Sequence, residues 1–309
     1  MSESSIAGPC NEISEVARVA KNSSGRMLPS FFIVGPPRTG TTWLHEVLSQ
    51  RTLLPDPTKE TRFFDNHFQR GTAWYRAHFK GAENQRVGEV APTYFASNEA
   101  RERIAELVPN ARIVCVFRDP VERVFSLYRL KRAYGMIPWS LEEAISRDPE
   151  LIESGKYATK LKEWWHTFGH ESVLPMFYED LRQNPQYFVN SVADFIGISR
   201  FNLTASDFKR IHSSESMTLP KNYYRTRGAT LMADWFKARQ LDNIVSIVKN
   251  SSLIKYFLGG GPAFAKPSPE ISAKLYELFR PEVEELENIL GRDLSAWKSR
   301  PAVLQSAAG

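Results

Sequence analysis

The stretch Gly35-Pro36-Pro37-Arg38-Thr39-Gly40-Thr41-Thr42 has the residues to hold an anion. An apolar run, Phe31-Phe32-Ile33-Val34, leads into it, and the two threonines open an amphipathic pattern that continues through Trp43 and Leu44. A strand breaking into a Gly/Pro turn and then a helix aims several backbone N–H groups, and the positive end of a helix dipole, at one point. The spacing is almost that of a triphosphate loop, Gly-x4-Gly-Lys-Ser/Thr, but Thr41 stands where that motif needs its lysine. The loop's one cation, Arg38, comes two residues before Gly40. A phosphate cradle with a displaced cation suits an anhydride other than that of ATP. The plainer reading is an ordinary tight strand-to-helix turn.

Three further segments carry polar groups in suggestive places. In Phe117-Arg118-Asp119-Pro120-Val121-Glu122, Arg118 ends an apolar strand, where open α/β sheets place ligand groups, and Ser126 lies about two helical turns on. Together they could clasp a second phosphate; alternatively, Arg118 pairs with Asp119 or Glu122 on the surface. In Lys59-Glu60-Thr61-Arg62-Phe63-Phe64-Asp65, a carboxylate flanked by cations and aromatics has the chemistry of a positioned general base, or of a solvated loop acid. Gly88-Glu89-Val90-Ala91-Pro92-Thr93-Tyr94 reads mainly as scaffold.

These segments need a frame, and the pattern around them supplies one. Strands are expected over 31–35, 87–90, 111–117 and 173–177, and helices over 41–50, 69–79, 98–108, 120–134, 157–168, 185–196 and 269–290. Arg62-Phe63-Phe64 is a short apolar piece after a polar connection. Pro120 suits a first helical turn, and Ser140 with Glu143 matches a capping box. Alternating strands and helices predict an α/β fold: a P-loop-like parallel sheet flanked by helices on both faces. From 200 to 267 the pattern is less regular, with one helical stretch over 230–249 and a break at Gly259-Gly260-Gly261-Pro262.

With 309 residues, 42% apolar and 24% charged, the chain can bury a large core. Its net charge of +5 favours an anionic ligand, but the charge is spread along the chain, so no nucleic-acid partner is expected. Two cysteines, Cys10 and Cys115, cannot build a disulfide framework or a zinc site. Neither a signal peptide nor a membrane span is expected, and residence is expected to be cytoplasmic.

In this order, the segments resemble the sulfotransferase superfamily, which uses 3′-phosphoadenosine 5′-phosphosulfate (PAPS). Gly35 through Thr42 resembles its 5′-phosphosulfate loop, and Arg118 through Ser126 its 3′-phosphate site. Lys59-Glu60…Phe63-Phe64-Asp65, Gly71…Trp74-Tyr75, Glu89…Pro92…Tyr94-Phe95, Tyr157…Leu161…Trp164, Tyr178-Glu179-Asp180-Leu181 and Leu290-Gly291-Arg292-Asp293-Leu294…Trp297 extend the match over residues 30–298. They are closer to the heparan-sulfate glucosaminyl sulfotransferases and their bacterial relatives than to the cytosolic phenol and steroid enzymes.

The resemblance implies the sulfotransferase fold as a single domain over 29–300, with 1–28 a flexible leader, 200–262 a variable lid or acceptor wall, and 301–309 a tail. It also implies transfer of a sulfuryl group from PAPS to an acceptor hydroxyl of a saccharide or hydroxylated metabolite, leaving adenosine 3′,5′-bisphosphate and needing no metal. Glu60 matches the general base, and Arg38 the loop cation. Arg38, Thr39, Gly40, Thr41, Thr42, Trp43, Arg118 and Ser126 would hold the donor, with Trp43 on adenine; Asp65 and Tyr157 would meet the acceptor. Three positions depart from the pattern: Arg38 replaces the loop's usual lysine, Val90 replaces a sugar-contacting lysine, and Gly260-Gly261-Pro262 replaces a late Lys-Gly-Arg segment. A carrier-bound β-hydroxyacyl acceptor is the alternative within this class. Outside it stand a P-loop kinase, which Thr41 disfavours, and an inert nucleotide-binding protein.

Overall fold

The computed structural model describes residues 28–81, 85–210, 217–238 and 261–299. Strand β1 (Phe31–Ile33) leads through the Gly/Pro turn into helix α1 (Thr41–Leu48). Next come β2 (Gly88–Val90), α2 (Asn98–Leu107), β3 (Arg112–Phe117), α3 (Pro120–Ala133), α4 (Tyr157–Phe168) and β4 (Val173–Phe177). Helices α5 (Tyr178–Gln183), α6 (Pro185–Ile196) and α7 (Pro269–Leu290) follow. The four strands are parallel, in the order β2-β1-β3-β4. Chain order thus leaves β1 on one side for β2 and returns on the other side as β3. The β1/β3 crevice is the topological switch point, where an open α/β sheet receives ligands.

Alternation along β3 shows why the strands read as unbroken apolar runs. Ile113, Cys115 and Phe117 join Phe32 and Val34 in one core, closed by Ile104 of α2, Leu161 and Trp164 of α4, and Phe279 and Leu286 of α7. Val114 and Val116 join Phe31 and Ile33 in a second core, closed by Leu44 and Val47 of α1 and Val189 and Val192 of α6. Both faces being covered, neither set of strand side chains needs to be polar. Local chemistry sets the helix starts. Ser97 accepts from Ala100 N at α2, Asp119 accepts from Val121 N and Glu122 N at α3 behind Pro120, and Ser140 and Glu143 form the expected capping box.

Some expectations shift. β1 stops at Ile33, not 35, because the chain turns away at Gly35-Pro36, although Val34 N still donates to Val114 O (2.9 Å). The short apolar piece at Phe63-Phe64 opens a π-type turn, Phe63–His67. The helix expected over 69–79 splits into a 3-10 turn, Phe68–Arg70, and a short helix, Gly71–Arg76, with Gly71 at φ 78 between them. The late helix begins earlier, at Tyr223, because Asn222 caps it by accepting from Arg225 N (3.1 Å). That helix runs to Ala238; the rest of its expected span, Cys10 and residues 1–27, Gly259 and Gly260, and the 301–309 tail lie outside the described residues. Cys115 is a buried free thiol whose pKa burial raises. No helix among the described residues is long and apolar enough to cross a membrane.

Gly35 runs against the backbone of β3. A Cβ there would lie 2.4 Å from Val116 N and 2.8 Å from Val116 O, both backbone atoms that cannot swing aside. Gly35→Ala is therefore expected to destabilise the fold by about 3 kcal/mol, measured as a lowered midpoint in urea unfolding with unchanged slope.

Candidate active site

The turn after β1 owes its shape to two residues with positive φ, Arg38 (79°) and Gly40 (92°). Gly40 lies against α5: a Cβ would meet Leu181 Cδ2 at 2.8 Å. Thr39 Oγ1 donates to Pro36 O (2.8 Å) and closes the turn. Because Gly40 has no side chain, α1 starts without a side-chain cap. The first-turn N–H groups of Thr41, Thr42 and Trp43 therefore lack the partner a Ser or Asp cap would give, and the positive end of the helix faces a cavity of about 240 Å³.

Arg38, Thr41, Thr42, Lys59, Glu60 and Arg118 share the lining of that cavity. The structure thus brings the strand-end arginine and the loop carboxylate to the same place as the Gly/Pro turn. Ser126 joins through Arg38, whose Nε donates to Ser126 Oγ (2.9 Å). Arg118 in turn donates to the Arg38 carbonyl (3.4 Å), lies over the Tyr178 ring (4.9 Å) and pairs with Glu122 (3.5 Å). Arg118 thus lines the cavity and also has the surface carboxylate partner of the plainer reading. Burial, followed by the neighbouring Arg118, lowers the pKa of Arg38.

Lys59 Nζ donates to Thr42 Oγ1 (3.0 Å) and lies 3.7 Å from Glu60 Oε1. Burial pushes the Glu60 carboxyl above its usual range, with Lys59 opposing the rise. Burial likewise lowers the Lys59 pKa, and Glu60 opposes that change. Burial thus makes the carboxylate more basic, while the ammonium beside it favours the charged form. Thr58 Oγ1 donates to Glu60 O (3.0 Å) and holds the backbone at this point.

Trp43 lines the cavity and also belongs to the second core, its Nε1 donating to Asp207 O (2.9 Å). Two expected acceptor residues are placed elsewhere. Tyr157 is 1% exposed, with its ring stacked on Phe117 at 4.9 Å, so it is core. Asp65, within the π-type turn, accepts from Arg62 Nε (3.2 Å) and Nη2 (3.0 Å), an ion pair outside the cavity lining. Sequence reasoning gave no role to Lys59, Glu46, Leu130 or Tyr178, all of which line the cavity. Lys59 carried a signal as the cation adjoining Glu60, and Tyr178 as the first residue of a segment in the resemblance.

A family model described as "Sulfotransferase domain" matches residues 28–236. The bifunctional heparan sulfate N-deacetylase/N-sulfotransferase 2 of Bos taurus is 30% identical over 217 residues, covering 62% of this chain and 24% of that protein. Its human paralogue 3 is 28% identical over 214 residues, with the same coverages. The chain thus spans about a quarter of the length of the curated relatives it matches. Among solved structures, a sulfotransferase from Alicyclobacillus acidocaldarius superposes with a TM-score of 0.64 at 23% identity, covering 88% of this chain and 99% of that one, a likeness of fold.

Proposed function

The chain belongs to the sulfotransferase family, and on that premise we propose that it transfers a sulfuryl group from PAPS to an acceptor hydroxyl, with Glu60 as general base. The observation that carries this reading is the meeting of Arg38, Lys59, Glu60 and Arg118 on one cavity at the uncapped start of α1. PAPS has two anionic ends, a 5′-phosphosulfate and a 3′-phosphate, and the residues fit both. The Arg38 turn and the first N–H groups of α1 suit the anhydride; Arg118 and Ser126 suit the 3′-phosphate. The donor supplies the activated sulfuryl group. Saccharide acceptors are the favoured class, as the curated relatives bear names of heparan sulfate enzymes.

In this mechanism Glu60 takes the acceptor proton as the acceptor oxygen bonds to sulfur and the bond from sulfur to the bridging oxygen breaks. Arg38 and the N–H groups at Thr41 and Thr42 meet the negative charge that grows on that bridging oxygen. Lys59 holds Glu60 and Thr42 in one frame and adds positive charge between them. Arginine at position 38 contributes charge and direction, not a proton.

The acid that follows β3 argues against a kinase. Asp119 is engaged at the start of α3 by Val121 N (2.8 Å) and Glu122 N (3.1 Å), so it is not presented to hold magnesium beside a triphosphate. Calorimetry separates the readings: adenosine 3′,5′-bisphosphate should bind at least about tenfold more tightly than ATP. A preference for ATP would remove the sulfotransferase reading.

A further inference from the structure

Glu89 lies on β2 with none of its surface exposed, beside Phe32 in the register of β1. It takes four hydrogen bonds, all from neutral donors. Oε1 accepts from Thr61 N (2.8 Å) and Thr61 Oγ1 (2.6 Å); Oε2 accepts from Tyr75 OH (2.6 Å) and Tyr94 OH (3.3 Å). A carboxylate this deep is costly to bury, and such groups ordinarily pair with a cation.

The direction of these bonds shows what the carboxylate does. Since Thr61 gives its hydroxyl proton to Glu89, its oxygen is free to accept from Phe63 N (3.1 Å). Since Tyr94 gives its proton to Glu89, its oxygen accepts from Phe64 N (3.3 Å). Phe63 and Phe64 open the π-type turn whose entry residue, Arg62, has φ 53°. One buried carboxylate thus orients the two hydroxyls that hold the first two N–H groups of this turn. It also holds the backbone of Thr61, the residue next to Glu60.

We propose that Glu89 is the positioning residue for Glu60: through Thr61 it fixes the direction in which the Glu60 side chain enters the cavity. The inference rests on Glu60 being the base. Thr58 holds the Glu60 carbonyl on one side, and Glu89 holds Thr61 on the other. A base placed this way starts close to its productive geometry, and small displacements of such a group are expensive in rate.

The groups facing Glu89 are Thr61 and Glu60 from the loop, Tyr75 from the short helix, and Tyr94 from the turn Pro92–Tyr94, which Asp65 also influences. Burial pushes the Glu89 carboxyl up to about 7; the bonds from Thr61 and Tyr75 oppose the rise and the charge of Glu60 adds to it. Tyr75 and Tyr94 are both held above their ordinary values, so they keep their protons near neutrality. The negative charge on Glu89 and that on Glu60 oppose one another.

Sulfate release from labelled PAPS to water tests the proposal without an identified acceptor. Glu89→Gln and Thr61→Val should each lower kcat about tenfold while leaving the donor KM unchanged, and Thr61→Ser should restore the rate. A loss confined to kcat and rescued by Thr61→Ser, which keeps the hydroxyl that bonds Glu89, is a change that loosened packing alone would not produce. Wild-type kcat in Glu89→Gln would overturn the proposal. So would equal rates for Thr61→Val and Thr61→Ser, a comparison that holds even if Glu89→Gln does not fold. Glu60→Gln, run in parallel, separates the two claims. If it keeps its turnover, the base assignment fails and this inference with it. If it is inactive while Glu89→Gln is normal, only this inference fails.

Discussion

Glu60→Gln should lower kcat for sulfate release from PAPS by about 10³-fold, the scale of a lost general base, with the affinity for adenosine 3′,5′-bisphosphate nearly unchanged. Gln keeps the size and one acceptor of Glu60 but cannot take a proton, so the loss reports chemistry and not shape. The pH profile carries the same signature. Burial raises the pKa of Glu60, so its active, ionised form is lost at a higher pH than for an ordinary glutamate. Wild-type activity should therefore fall as pH drops through that raised value, and Lys59→Met should move the fall to still higher pH by removing the opposing charge. Full turnover in Glu60→Gln would disprove the assignment.

Arg118→Ala should weaken binding of adenosine 3′,5′-bisphosphate by about 10²-fold, the scale of lost charge-assisted hydrogen bonds. Arg118 also holds the Arg38 carbonyl and stacks on Tyr178, so the variant loses a turn support together with a phosphate partner. Arg118→Lys should recover charge but not the fork or the stacking, and so fall between the two. Calorimetry checks both variants, with salt titration as a control, since a contact to phosphate should weaken steeply as salt rises. An unchanged dissociation constant in Arg118→Ala would remove Arg118 from the donor site.

Much of this architecture was legible because it is local. A strand followed by Gly35-Pro36, a helix opening at Thr41, Pro120 in the first turn of α3 and the box at Ser140 and Glu143 all depend on near neighbours. The expected extents of α4, α6 and α7 agree with the observed ones for the same reason. What was not legible joins distant residues. The bond from Arg38 to Ser126 spans 88 positions, and the Glu89 cluster gathers residues 61, 75 and 94 around one carboxylate. No periodicity encodes such meetings. Tyr157 is a different case: with Leu161 and Trp164 it falls at i, i+4 and i+7 of α4, the spacing of a buried stripe. That periodicity outweighed the functional analogy.

The side chain of Arg38 rests on α3 while its own carbonyl is gripped by the arginine that ends β3. The end of a central strand, the glycine-bearing bend and a helix are therefore tied at a single residue, like three ropes on one cleat. Whatever displaces the guanidinium from the serine must also tug on the bend, and by reciprocity anything settling into the bend alters the hold on the helix. Nucleotide ends some distance apart would thus sense each other through the protein as well as through their shared ribose.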